Sequence, residues 1–166
     1  MWNRWISSSK DVVFIKNGKL VCRAIPNRNE PNDTAKMLTG AIESIRKFSF
    51  QYGRVDVKLK TNMLRGNFPA VWMKPEVIDP NKYGEIDIFE GNGDLKIAQQ
   101  TVHNHLSTIL KKNIEQKEFK TEMLVNKWHV YSLVWTPTKL VFLIDYKVTG
   151  TFYKSYNKGL LEQGQW

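Results

Sequence analysis

The stretch Gly84-Glu85-Ile86-Asp87-Ile88-Phe89-Glu90 constrains this chain more than any other, because it sets three carboxylates among apolar residues. In a strand, side chains alternate between faces, so Glu85 and Asp87 project to one side while Ile86 and Ile88 project to the other. Strict alternation would carry Glu90 to the apolar side. Burying an unpaired carboxylate there costs several kcal/mol, of order 2–7 on polar-transfer scales and more for a charge. One extra residue, a β-bulge near Ile88-Phe89, returns Glu90 to the face of Glu85 and Asp87. Three carboxylates on one strand face suit acid–base chemistry. A solvated edge strand is the other reading of the same residues, and the flanking sequence decides between them.

Around this strand the chain is a succession of short β-type segments. Asp11 to Lys16 and Lys19 to Ile25 flank Asn17-Gly18, a hairpin signal because both turn residues tolerate positive φ. Pro26 to Asp33 is a loop, and Ala41 to Phe50 is expected to begin another strand or a bent pair. Arg54-Val55-Asp56-Val57-Lys58-Leu59-Lys60 alternates cleanly, with Val55, Val57 and Leu59 inward. Phe68 to Met73 is strand-like, Pro69 marking its start or an edge. Lys74 to Tyr83 reads as a surface loop. Ile97 to His105 puts Gln99, Thr101, His103 and His105 on one face. Lys111 to Asn126 is polar and charged, with no element assigned. Trp128 to Trp135 and Leu140 to Tyr146 are two further strands, and Asp145-Tyr146-Lys147 turns into Val148 to Tyr153. No sustained helical period appears. Many short strands at regular spacing predict an all-β sandwich of two antiparallel sheets.

Length and charge narrow the partners. A chain of 166 residues suits one domain, residues 1–166, with a sizeable core. The net charge of +9 invites a polyanion, but the lysines are scattered, and Arg54, Lys58 and Lys60 read as the solvated face of a strand. Neither nucleic acid nor a membrane is expected as a partner. No run approaches the apolar length needed to cross a bilayer, and the N-terminus lacks the apolar core of a signal peptide. Cys22 is the single cysteine, which excludes an internal disulfide and suggests a small hydrophobe in a strand.

Several ordered segments resemble family 16 of the glycoside hydrolases, the endo-acting β-glucanases, agarases and carrageenases. They are Lys16-Asn17-Gly18-Lys19-Leu20, Thr39-Gly40-Ala41-Ile42 and Lys47-Phe48-Ser49-Phe50-Gln51-Tyr52-Gly53-Arg54. Gly66-Asn67-Phe68-Pro69-Ala70-Val71-Trp72-Met73 leads into the carboxylate strand, and Thr101-Val102-His103 and Trp128 to Thr136 complete the set. The resemblance covers almost the whole chain. It implies a β-jelly-roll (concanavalin-like) sandwich with substrate across a concave sheet. The six-residue, bulged motif is similar to that of laminarinases, agarases and carrageenases; lichenases and xyloglucan-active relatives usually carry a shorter form.

Carried over by position, the resemblance makes Glu85 the nucleophile and Glu90 the general acid/base, with Asp87 between them tuning both. A retaining mechanism needs carboxyl groups about 5–5.5 Å apart. The bulged spacing separates the two backbones by roughly 13 Å, a gap that two glutamates leaning inward from a concave sheet can close. The three groups are expected to titrate as a coupled set. His103 would contact this cluster, or serve as a structural histidine; a zinc site from His103 and His105 lacks further ligands in order, and no metal is expected there. Trp72 would stack on a sugar or pack in the core, whereas Trp128 and Trp135 are left out of the site because one face of their apolar strand must be core. Arg54 and Arg65 would bind substrate hydroxyls or a charged substituent.

The implied activity is retaining endo-hydrolysis of β-1,3- or mixed-linkage β-1,3-1,4-glucan. A sulfated or neutral galactan (agarose, porphyran or carrageenan) is the second substrate class, and an inactive carbohydrate-binding sandwich is the third reading. Family members are usually secreted or at the cell surface. Their domains continue beyond the equivalent of Gly164-Gln165-Trp166, so the jelly roll is expected to be C-terminally incomplete. Unpaired sheet edges would then invite self-association. No cofactor is expected to be required; the resemblance allows a structural calcium, whose C-terminal aspartate ligand is expected to be missing here.

Overall fold

Among the described residues every regular element is a strand, as alternation punctuated by turns predicts. The structure is a computed structural model, and it describes residues 10–28, 36–77, 84–93, 96–103 and 117–153. The chain divides into two compact units, residues 1–48 and 49–166.

In the first unit β1 (Val13–Lys16) pairs antiparallel with β2 (Lys19–Cys22) across the expected turn. Asn17 and Gly18 have φ of 51° and 69°, so both central residues are left-handed, which matches the twist of a two-residue hairpin. Then β3 (Ala24–Pro26) pairs with β4 (Met37–Thr39). Val12 and Leu38 are this unit's buried apolar residues among those described. Residues 41–50 form no strand, contrary to expectation. The amides of Lys47 and Phe48 both donate to the Ser44 carbonyl, and Arg46 turns left-handed at φ 58°. That local closure leaves Ile42, Ile45 and Phe48 exposed rather than set on one buried face.

The second unit holds two four-stranded antiparallel sheets. One is ordered β6 (Ala70–Met73), β7 (Glu85–Glu90), β8 (Ile97–His103), β9 (Lys117–Glu122). The other is ordered β12 (Lys147–Tyr153), β11 (Lys139–Ile144), β10 (His129–Trp135), β5 (Gly53–Leu59). Their facing sides share a core of Ile86, Ile88, Phe89 and Val102 from the first sheet with Tyr131, Leu133, Phe142 and Ile144 from the second. Ring contacts join the sheets: Phe89 lies 4.5 Å from Tyr131, and Phe119 lies 5.6 Å from Phe142, centroid to centroid. Phe89, Tyr131 and Phe142 are fully buried, and each such side chain contributes about 1.5–3 kcal/mol of transfer free energy. The sandwich of two antiparallel sheets is therefore as expected.

Strand β9 falls where no element was assigned. It lies at the edge of its sheet, with Glu118, Lys120 and Glu122 exposed and Phe119 packed against the core. A single apolar anchor among charges gives a weak period-2 signal, and pairing with β8 supplies what the sequence pattern lacks.

Candidate active site

The carboxylate strand β7 is irregular where alternation requires it. Against β8, Asp87 pairs with Thr101 and Glu90 with Gln99, so β7 advances one residue more than its partner. Against β6, Asp87 pairs with Trp72 and Phe89 with Val71, and Ile88 has no residue opposite it. This is a bulge at Ile88-Phe89. Its cause is apolar: Ile88 and Phe89 are both fully buried, at 1% and 0% exposure, so two consecutive side chains enter the core. Glu90, next along, is left half-buried on the opposite face with Glu85.

Neighbouring strands complete that face. Opposite Glu85, Asp87 and Glu90 stand His103, Thr101 and Gln99 of β8, while β6 sets Trp72 beside Asp87 and Ala70 beside Glu90. The Thr101 hydroxyl donates to Glu90 Oε2 at 2.8 Å, and Gln99 Nε2 approaches the same oxygen at 3.4 Å while bonding Thr101 Oγ1 at 3.2 Å. One carboxylate oxygen of Glu90 is thus held from the β8 side.

Asp87 is the most buried carboxylate of the three. Its side chain is 3% exposed, and Oδ2 lies 3.1 Å from His103 Nε2. That approach is an ion-pair contact rather than an aligned hydrogen bond, because Oδ2 has no well-directed donor among the described residues. Burial pushes the Asp87 carboxyl up to about 6, and the neighbouring charges of Glu90 and Glu85 push the same way, against the lowering effect of His103. The contact with Asp87 in turn raises His103 above the usual imidazole value, despite opposing burial. Asp87 and His103 are thus a coupled pair, each one's protonation depending on the other's charge.

Glu85, Asp87 and His103 bring one donor atom each to within 4.8 Å of one another, and this trio could hold a cation. His105 lies outside the described residues.

Of the other residues predicted for the site, Trp72 is on it. Its half-buried ring shares the face of Asp87, and the Lys74 ammonium lies 5.5 Å from its centroid. Arg65 sits in an exposed turn with Gly66, and this turn abuts Gly93 just beyond Glu90. The structure does not bring Arg54 to the site. Arg54 belongs to β5 in the other sheet, opposite Val134 and on the side away from the core, where it pairs with Asp56 at 3.0 Å and lies over Tyr146. Trp135 is buried in the core, beside Phe50 and Tyr52. Trp128 precedes its strand and is exposed, with Lys60 over its ring. Two residues that sequence reasoning placed on the face but gave no role, Gln99 and Thr101, are the ones that bond Glu90. Their alternation with His103 was the available signal.

The chain is 26% identical over 155 residues to a keratan-sulfate endo-1,4-beta-galactosidase of Sphingobacterium multivorum, covering 91% of this chain and 36% of that protein. It is 30% identical over 162 residues to glucan endo-1,3-beta-glucosidase A1 of Niallia circulans, covering 92% of this chain and 23% of that protein. Its structure superimposes on the laminarinase of Rhodothermus marinus with a TM-score of 0.81 at 22% identity, covering 96% of this chain and 66% of that one. The chain therefore spans about a quarter to a third of these curated relatives and about two thirds of the solved domain. The sequence profile described as glycosyl hydrolases family 16 matches residues 4–162, and it runs through the bulged strand with its flanking β6 and β8. On that match, across nearly its whole length, the chain belongs to glycosyl hydrolase family 16.

Proposed function

We propose that the protein is a retaining, endo-acting glycoside hydrolase that cleaves internal β-linkages of β-1,3- or mixed-linkage β-1,3-1,4-glucan. The observation that carries this reading is the bulge in β7, which puts Glu90 on the face of Glu85 and Asp87 instead of in the core. In the first step Glu85 attacks the anomeric carbon while Glu90 protonates the departing glycosidic oxygen. The glycosyl–Glu85 ester forms as the glycosidic bond breaks. In the second step Glu90 takes a proton from water, which attacks the same carbon and releases Glu85.

The surrounding residues fit these roles. Thr101 and Gln99 hold Glu90 Oε2 and so aim the other oxygen at the bond being cut. Asp87, with a carboxyl raised to about 6, keeps a proton available next to Glu85, and His103 sets the charge of Asp87. Trp72 provides an apolar platform for a sugar ring beside Asp87, and the exposed turn that carries Arg65 lies against Gly93, just beyond Glu90. Burial, hydrogen bonding and like charge suit the cluster to handling protons.

A sulfated or neutral galactan is the second reading. It is favoured by the similarity to a keratan-sulfate endo-galactosidase and by the net charge of +9. Purified protein assayed on laminarin, mixed-linkage glucan, agarose, carrageenan and keratan sulfate separates the readings. Reducing ends released from the two glucans alone support the first. Release only from the galactans supports the second, and binding with no cleavage of any of them defeats the hydrolase assignment.

A further inference from the structure

Gln100 is a polar residue at 0% exposure in the middle of an apolar core, on the face of β8 opposite the site. Both ends of its amide are engaged. Nε2 donates to the Ile88 carbonyl at 3.0 Å and, more weakly, to the Leu143 carbonyl at 3.5 Å, while Oε1 accepts from the Thr149 hydroxyl at 2.5 Å. Two carbonyls on one side and a hydroxyl on the other leave one orientation of the amide that satisfies all three.

These partners mark both sheet irregularities. Ile88 is the residue of β7 that has no residue opposite it on β6 or on β8. Thr149 is the residue of β12 skipped between the pairs Phe142–Gly150 and Leu143–Val148. A bulge strips a backbone carbonyl of its ladder partner, and a buried carbonyl must find another. Gln100 supplies it to Ile88 and ties the arrangement to the second sheet. Without that donor, slipping β7 by one residue would restore regular pairing and send Glu90 to the core face.

We propose that Gln100 is a positioning residue for catalysis: its buried amide pins the β7 bulge to the β12 bulge and thereby holds Glu90 in register with Glu85. The proposal rests on the hydrolase reading for its kinetic consequence, but not for its structural one. Gln100 touches no substrate and acts through the Ile88 carbonyl.

Three variants test it. Gln100→Leu keeps similar volume and removes the amide. The expected result is a kcat reduced about 10²-fold with KM within about 3-fold, as a misplaced catalytic group gives. Gln100→Glu can donate to Ile88 and accept from Thr149 only while protonated, so its kcat relative to wild type should fall as pH rises. Thr149→Val removes one bond and should cost kcat about 3- to 10-fold at unchanged KM. A readout independent of turnover is the NMR shifts of the backbone amides of Ile88, Phe89 and Glu90 around the bulge, which should change in Gln100→Leu while those of β5 do not. If Gln100→Leu does not fold, the pH dependence of Gln100→Glu decides. If the wild type cleaves nothing, the hydrolase reading fails and the β7 amide shifts alone judge Gln100. Wild-type kcat in Gln100→Leu, a flat ratio in Gln100→Glu, or unmoved β7 amide shifts overturn the proposal.

Discussion

Asp87 shows at a single residue how catalysis and stability pull apart. An aspartate in the unfolded chain titrates near 3.9, and burial raises the folded value to about 6. Between those values the folded state binds more proton, so this group's contribution to stability falls as pH rises through that window. His103 acts in the same direction: its value is raised, so its contribution is complete below the ordinary imidazole range and is lost as pH rises through the folded value. Asp87→Asn should therefore stabilise the fold by about 1–3 kcal/mol at pH 7.5 and by much less at pH 4, while lowering kcat. Urea unfolding at both pH values checks this, and equal stability changes at the two would refute it. Thr101→Val tests the support of Glu90. Removing its 2.8 Å hydrogen bond should reduce kcat about 10-fold with KM nearly constant; a change confined to KM would show that the hydroxyl meets substrate instead. The three carboxylates were legible from strand alternation, and their grouping with His103 from the resemblance. Which atom of which neighbour holds Glu90 was not, because alternation names a face without naming hydrogen bonds.

At the scale of elements, local chemistry was readable and long-range pairing was not. Asn17-Gly18 announced its turn, and the alternation of Val55, Val57 and Leu59 announced β5, since both signals are carried by adjacent residues. Arg54 was predicted for the site and lies on the other sheet, because alternation sorts side chains into two faces but does not say which sheet a strand joins. Strand β9 was hidden for a related reason: its order depends on pairing with β8 more than on its own residues. Packing between sheets can be tested where β12 crosses β9. A methyl group added at Gly150 would run into the Phe119 ring, and that ring rests on Phe142. Gly150→Ala should destabilise the protein by about 1–3 kcal/mol, the usual cost of overpacking, seen as a lower urea midpoint. An unchanged midpoint would mean that the sheets part there without strain.

For the whole molecule, family membership and fold agree with a bulged carboxylate strand at the centre of one sheet of a sandwich. The chain matches 23% and 36% of two curated relatives' lengths, so the activity of this chain by itself is the quantity to measure. Glu85→Gln should remove turnover on polysaccharide entirely while leaving the thermal unfolding transition in place, and residual activity near wild type would exclude Glu85 as nucleophile. The most direct test of the central claim, that Glu85 and Glu90 work as nucleophile and acid on one strand face, is the anomer first released from the glucan. Proton NMR of the hydrolysis mixture, recorded before mutarotation, should show the β-anomer appearing first. Initial release of the α-anomer would contradict the account.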